Sequence, residues 1–218
     1  MNINMTRIFR QTSYVFFLSL ALLFSSYSSA TETKTSQNLG RDIENTMDQL
    51  ILKLKQNKAE YKKDAGLFYH DLNAELSEII DFKRIALKVM GKYGRKASTA
   101  QRSEFISVFK QSLYKSYAAV LLENNDVEVK VINSSVNSRN PKKAQVNMEI
   151  KNGSGSSYAV SYSLNKGKDK TFRVENIVIM GINMGLAFRD HFQQQMKVHR
   201  GDINAVINNW SSEVVANA

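Results

Sequence analysis

The spacing of apolar residues changes period twice along this chain, and that change limits the possible folds more than any other feature. Between Val127 and Met180 the apolar residues recur at every second position: Val127, Val129, Val131; Ala144, Val146, Met148, Ile150; Tyr158, Val160, Tyr162, Leu164; Phe172, Val174. A period of two gives each segment one apolar face, as in a half-buried strand. The connectors Asn140-Pro141, Asn152-Gly153-Ser154-Gly155 and Asn165-Lys166-Gly167 are short and turn-forming, so the four strands predict an antiparallel meander.

On both sides the period is helical. Leu39, Ile43, Met47, Leu50 and Leu54 share one face, and Leu67, Phe68, Leu72, Leu76, Ile79 and Ile80 continue the pattern. Phe82, Ile85, Ala86, Val89 and Met90 predict a short helix that Gly91 closes. Ser98 and Gln101 form a capping box ahead of a long helix carrying Phe105, Val108, Phe109, Leu113, Tyr117, Val120 and Leu121. After Gly181, Met184, Phe188, Phe192 and Met196 line one helix and Ile203, Val206, Ile207 and Trp210 another, with Asn183 and Asp202 as N-caps. A sheet with one apolar face needs a cover, and helices are the material available. The expected fold is α+β: N-terminal helices, a four-stranded antiparallel meander and two C-terminal helices.

The first thirty residues stand apart. Arg7 and Arg10 precede the apolar run Tyr14–Phe24, and Ser28-Ser29-Ala30 offers small residues for cleavage. This pattern predicts a cleaved signal peptide over residues 1–30, with residues 31–218 forming one exported domain. The chain has no cysteine, so disulfides and thiol chemistry are excluded and stability rests on the core. The net charge is +10, or +8 without Arg7 and Arg10. The basic residues are scattered, and export argues against a nucleic-acid partner; an anionic membrane or an acidic protein remains.

Reaction machinery is thin. His70, His191 and His199 have no metal-ligand spacing, and no G-x-S-x-G elbow occurs. Gly153-Ser154-Gly155 reads as a hairpin tip, because no helix follows to present backbone donors to a phosphate. Gly181 and Gly185 lack a full dinucleotide fingerprint and read as a close-packing device. No metal, cofactor or catalytic set is expected. Met and aromatic residues occur on nearly every apolar face, which suits a solid core and equally an adaptable apolar pocket.

One stretch narrows the choice. Asp81-Phe82, Met90-Gly91-Lys92-Tyr93, Ser98-Thr99-Ala100-Gln101-Arg102, Phe105 and Phe109 follow one another in order; Phe172-Arg173-Val174, Ile177 to Gly181, Phe188-Arg189 and Phe192 come after the sheet. This order resembles the MlaC-type, or toluene-tolerance, family of periplasmic phospholipid-binding proteins. The departures are Ile79-Ile80 for a Pro-His, Gly94 for a Trp, Phe172 for a Trp, Glu175 for an Asp and Phe188 for a Tyr.

The resemblance implies a cone of helices on a twisted sheet, with acyl chains in an apolar cavity and the head group near solvent. It also implies a monomeric shuttle meeting an inner-membrane ABC transporter through its MCE-domain subunit, an outer-membrane lipoprotein and, transiently, the membrane. Such a role would maintain outer-membrane lipid asymmetry. The helix and strand faces expected to meet name the acyl-chain lining: Phe82, Ile85, Val89, Tyr93, Phe105, Phe109, Tyr117, Val146, Met148, Val160, Tyr162, Val174, Met180, Leu186, Phe188 and Phe192. Arg189 is the head-group candidate. Two other readings stay open: a ligand-free interaction module of the same shape, and a small hydrolase using a pair of buried carboxylates.

Overall fold

The computed structural model describes residues 36–123 and 126–211, with side chains over 39–116 and 126–211. The expected signal peptide and the side chain of Tyr117 lie outside the described residues. Helices α1 (Ser36–Gln56), α2 (Lys58–Lys63), α3 (Ala65–Ile79) and α4 (Phe82–Met90) come first. A 3-10 turn at Gly91–Arg95 leads to α5 (Thr99–Glu123). The strands β1 (Val127–Val136), β2 (Lys143–Asn152), β3 (Ser157–Lys166), β4 (Phe172–Ile179) and β5 (Ile182–Asn183) follow, then α6 (Met184–Val198) and α7 (Ile203–Asn208).

The helix ends form where their side chains satisfy free backbone groups. Ser98 and Gln101 make the reciprocal capping box: the Gln101 amide donates to Ser98 Oγ at 3.1 Å, and the Ser98 amide donates to Gln101 Oε1 at 2.9 Å. Asp81 caps α4, Asn183 caps α6 and Asp202 caps α7. Gly91 closes α4 at φ 53° and ψ −126°, a conformation that a side chain strongly disfavours. A Cβ there would meet Arg189 Cδ at 3.6 Å, which is ordinary contact, so the obstacle is backbone strain alone. Gly91→Ala is expected to destabilise the protein by about 1–3 kcal/mol. In urea, the midpoint should fall while the slope stays unchanged.

The sheet runs in the order β1-β2-β3-β4-β5, each pair antiparallel. It has five strands, one more than expected. Met180 (φ 50°) and Gly181 (φ 83°) make a two-residue turn with both residues left-handed, which folds Ile182 back onto Ile179. Two residues are too few to show a period, so this strand leaves no signature in the sequence. β1 also outlasts its apolar alternation. Its polar second half, Asn133 to Val136, pairs with Asn147 to Ala144.

Two bulges shape the sheet. In β1 the register slips between Val131 and Asn133, and the extra residue, Ile132, faces solvent. In β4, Ser163 pairs with Asn176 but Leu164 pairs with Val174, which leaves Glu175 as the extra residue. A bulge re-aims a side chain, and here Val174 and Glu175 are both buried although they are neighbours.

The inner face of the sheet carries Val146 opposite Tyr162 and Met148 opposite Val160. Helix α1 packs on β1, α6 and α3 pack on β4, and α4 lies between α5 and α6. α3 meets the sheet directly, since the Asp81 amide donates to the Val174 carbonyl at 3.0 Å just beyond the helix end.

Candidate functional site

The interior between the sheet and the helices collects most of the residues expected to line an acyl-chain pocket. Val146, Met148, Val160, Tyr162 and Val174 are buried on the sheet side. Phe82, Val89, Phe105, Phe109, Phe188 and Phe192 are buried on the helix side, and Ile85 and Tyr93 pack against them half-buried. The rings form a continuous stack. Phe105 meets Phe192 edge-on at 4.9 Å and Trp210 at 5.1 Å, Phe109 meets Phe188 at 5.4 Å, and Tyr93 reaches Phe192 at 6.1 Å. Edge-to-face rings at these distances are close-packed, so side chains fill this region.

Two expected lining residues lie outside the interior. Met180 is 53% exposed, because it sits in the left-handed turn at the end of β4, where its amide donates to the Ala159 carbonyl and its sulfur accepts from the Ala159 amide. Leu186 is 45% exposed. It follows the buried Met184 by two residues, which on a helix of 3.6 residues per turn places it on the opposite side. Arg189 is exposed on α6, with its aliphatic stem against Gly91.

An open cavity of about 380 Å³ lies instead between α1 and α3. Asn45, Thr46, Gln49, Leu50, Leu52, Lys53 and Gln56 line it from α1, and Glu75 and Ile79 from α3. Leu50 and Ile79 are buried and give it an apolar wall. Lys53 Nζ and Glu75 Oε1 pair at 2.5 Å across its rim. None of these residues was expected from the sequence. The available signal was Leu52, a large apolar residue lying off the buried stripe of α1 and 46% exposed.

The charged groups near the core are structural. Glu175 is the one buried carboxylate among the described residues. Lys143 Nζ lies at 2.6 Å, Lys88 Nζ at 3.0 Å and Arg84 Nε at 3.7 Å from its oxygens. Burial opposes its ionisation, but hydrogen bonds and charge from Lys143 and Lys88 outweigh that and hold it below the usual carboxylate range. His191 packs on Trp210 at 4.9 Å, and burial lowers its imidazole pKa from the ordinary value. A close pair of buried carboxylates, which the hydrolase reading requires, is absent among the described residues. So is any group of three His, Asp or Glu placed to hold a metal ion. No described helix is long and apolar enough to cross a membrane.

Gly185 does support close packing. A Cβ there would fall 2.4 Å from Asn176 Oδ1, the oxygen that accepts a hydrogen bond from the Gly185 amide.

Known proteins resemble this chain in sequence and in fold. The profile of the family described as "MlaC protein" matches residues 44–212. The toluene tolerance protein ttg2D of Pseudomonas putida is 34% identical over 174 residues, 79% of this chain and 79% of that protein. A phospholipid-binding protein from Ralstonia solanacearum, solved in complex with a phospholipid, has a similar fold. Its TM-score is 0.58 at 20% identity, over 73% of this chain and 92% of that one. The family profile spans most of the described fold and the ttg2D match covers more than three quarters of the sequence, so this chain belongs to the MlaC family.

Proposed function

We propose that this protein is a phospholipid carrier that is exported to the periplasm and performs no chemistry on its cargo. The observation that carries this reading is membership of the MlaC family, supported by a fold like that of a protein solved with phospholipid bound. An acyl chain gains about 0.8 kcal/mol for each CH₂ removed from water, so a two-chain lipid needs an apolar host to cross an aqueous space.

The cavity between α1 and α3 is the entry. Met47 and Leu76, three residues before Leu50 and Ile79 on the same helices, are fully buried, and parting of the two helices would extend the cavity toward Val146, Met148, Val160 and Tyr162. Met side chains adapt readily to such a change of occupant. Lys53, with 40% of its side chain exposed, stands at the rim where a lipid phosphate would replace Glu75 as its partner. The carrier would pass lipid between the MCE-domain transporter and the outer-membrane lipoprotein that the family resemblance implies.

Native mass spectrometry of the full chain, purified without detergent, tests the carrier reading. Phospholipid masses released on denaturation are expected. A lipid-free mass that persists after incubation with vesicles would sink it. Thr46→Trp tests the entry by filling the cavity from α1. The lipid-loaded fraction is expected to fall by more than half, while the melting temperature stays within about 4 °C of wild type. Full loading in that variant would place the entry elsewhere.

A further inference from the structure

Three large apolar side chains stand exposed in the short stretch where β4 turns back and becomes α6: Met180 at 53%, Ile182 at 38% and Leu186 at 45%. Met180 holds a left-handed φ of 50° at a turn position that favours Asn or Gly. Its sulfur accepts a hydrogen bond from the Ala159 amide at 3.4 Å, yet about half of the residue stays open to solvent.

Basic residues lie beside this tip on α6 and along the 3-10 turn that Arg189 touches. Arg189 follows Leu186 by three residues and so neighbours it on α6. The Arg189 stem lies against Gly91, which joins this surface to the 3-10 turn. From Phe82 to Ala97 the chain carries six basic residues and no acidic one. Arg84 and Lys88 are engaged by Glu175. Lys92, Arg95, Lys96 and Arg189 are exposed and form no ion pair among the described residues. Asp190 is the acidic neighbour on α6.

We propose that Met180, Ile182 and Leu186 form a spur that docks this protein on an anionic lipid surface, with Lys92, Arg95, Lys96 and Arg189 meeting the head groups. An apolar spur beside unpaired cations is the chemistry of interfacial binding: the apolar groups enter the acyl boundary and the charges hold the surface. The net charge, +8 without Arg7 and Arg10, attracts the whole molecule to the same surface. This docking does not require that the protein carry lipid.

The test is equilibrium binding of the full chain to phosphatidylcholine vesicles with and without phosphatidylglycerol. Binding to pure phosphatidylcholine sets the baseline. Wild type is expected to prefer the anionic vesicles, and the preference should fade near about 0.5 M salt. Two variants, Met180→Ser with Ile182→Ser and Leu186→Ser, and Arg95→Glu with Lys96→Glu and Arg189→Glu, are each expected to lose about tenfold or more of the anionic-vesicle affinity. Since the chain has no cysteine, Met180→Cys takes a single polarity-sensitive dye, whose emission should shift to the blue on anionic vesicles. Indifference of wild type to phosphatidylglycerol overturns the proposal, as does unchanged binding by both variants. A dye that responds to an acidic protein but not to vesicles also overturns it, in favour of a protein occupant. Lipid loading, read separately by mass spectrometry, keeps failure of the carrier reading distinct from failure of docking.

Discussion

Phe105→Ala is expected to destabilise the protein by about 3–5 kcal/mol, the range for removing a buried aromatic ring. Phe105 has no solvent exposure and contacts the rings of Phe109, Phe192 and Trp210. Those rings come from α5, from α6 and from just beyond α7, so their shared centre fixes how three separate segments meet. The cavity left behind cannot close without moving a helix, which places the loss in the upper part of the range. Urea unfolding checks this, and a shift equivalent to less than about 1.5 kcal/mol would mean that the cluster repacks freely. A core loose enough to repack so easily would also admit an acyl chain without any parting of α1 and α3, so the same measurement bears on the route of lipid entry.

Glu175→Gln should cost about 2–3 kcal/mol at neutral pH. Removing one partner of a fully buried pair costs about 3–5 kcal/mol, and the figure is lower here because Lys88, Lys143 and Arg84 reach solvent. The effect depends on pH with a definite sign. The folded carboxyl has a pKa below its unfolded value, so its contribution is complete above the unfolded pKa of about 4.3 and is lost as pH falls through the folded value. The gap between wild type and Glu175→Gln should therefore be constant from neutral pH down to about pH 5 and narrow below that. Urea midpoints of both proteins across this range give the comparison. A gap that stays the same in acid would show that Gln disturbs packing and not charge.

Glu175 also marks where sequence reading stops. In the sequence it is an acidic residue within a strand of alternating period, next to Val174, and alternation would send it to solvent. The bulge opposite Ser163 and Leu164 turns it inward, toward lysines contributed by β2 and α4. Nothing local to Phe172–Ile179 encodes those partners. Met180 and Leu186 differ from each other in this respect. Leu186 could have been placed correctly, since it falls two residues from Met184 and off the face shared by Phe188 and Phe192. Met180 could not, because its exposure follows from a turn whose second strand is two residues long.

The α1–α3 cavity was illegible for a related reason. Its walls come from Thr46, Leu50 and Lys53 on one helix and Glu75 and Ile79 on another, and the stripe of each helix predicts burial without naming what it is buried against. Periodicity determined the helices other than the short α2, the four long strands and most of the inward faces, because those depend on neighbours a few positions away along the chain. The caps at Ser98, Asn183 and Asp202 were equally local. The ordered motifs from Asp81 to Phe192 gave the family. Only the tertiary structure decided the two bulges, the fifth strand, the surroundings of Glu175 and the position of the cavity. The fifth strand is a local hairpin too short for periodicity to register, and the others depend on contacts between segments far apart in sequence, which no local spacing records.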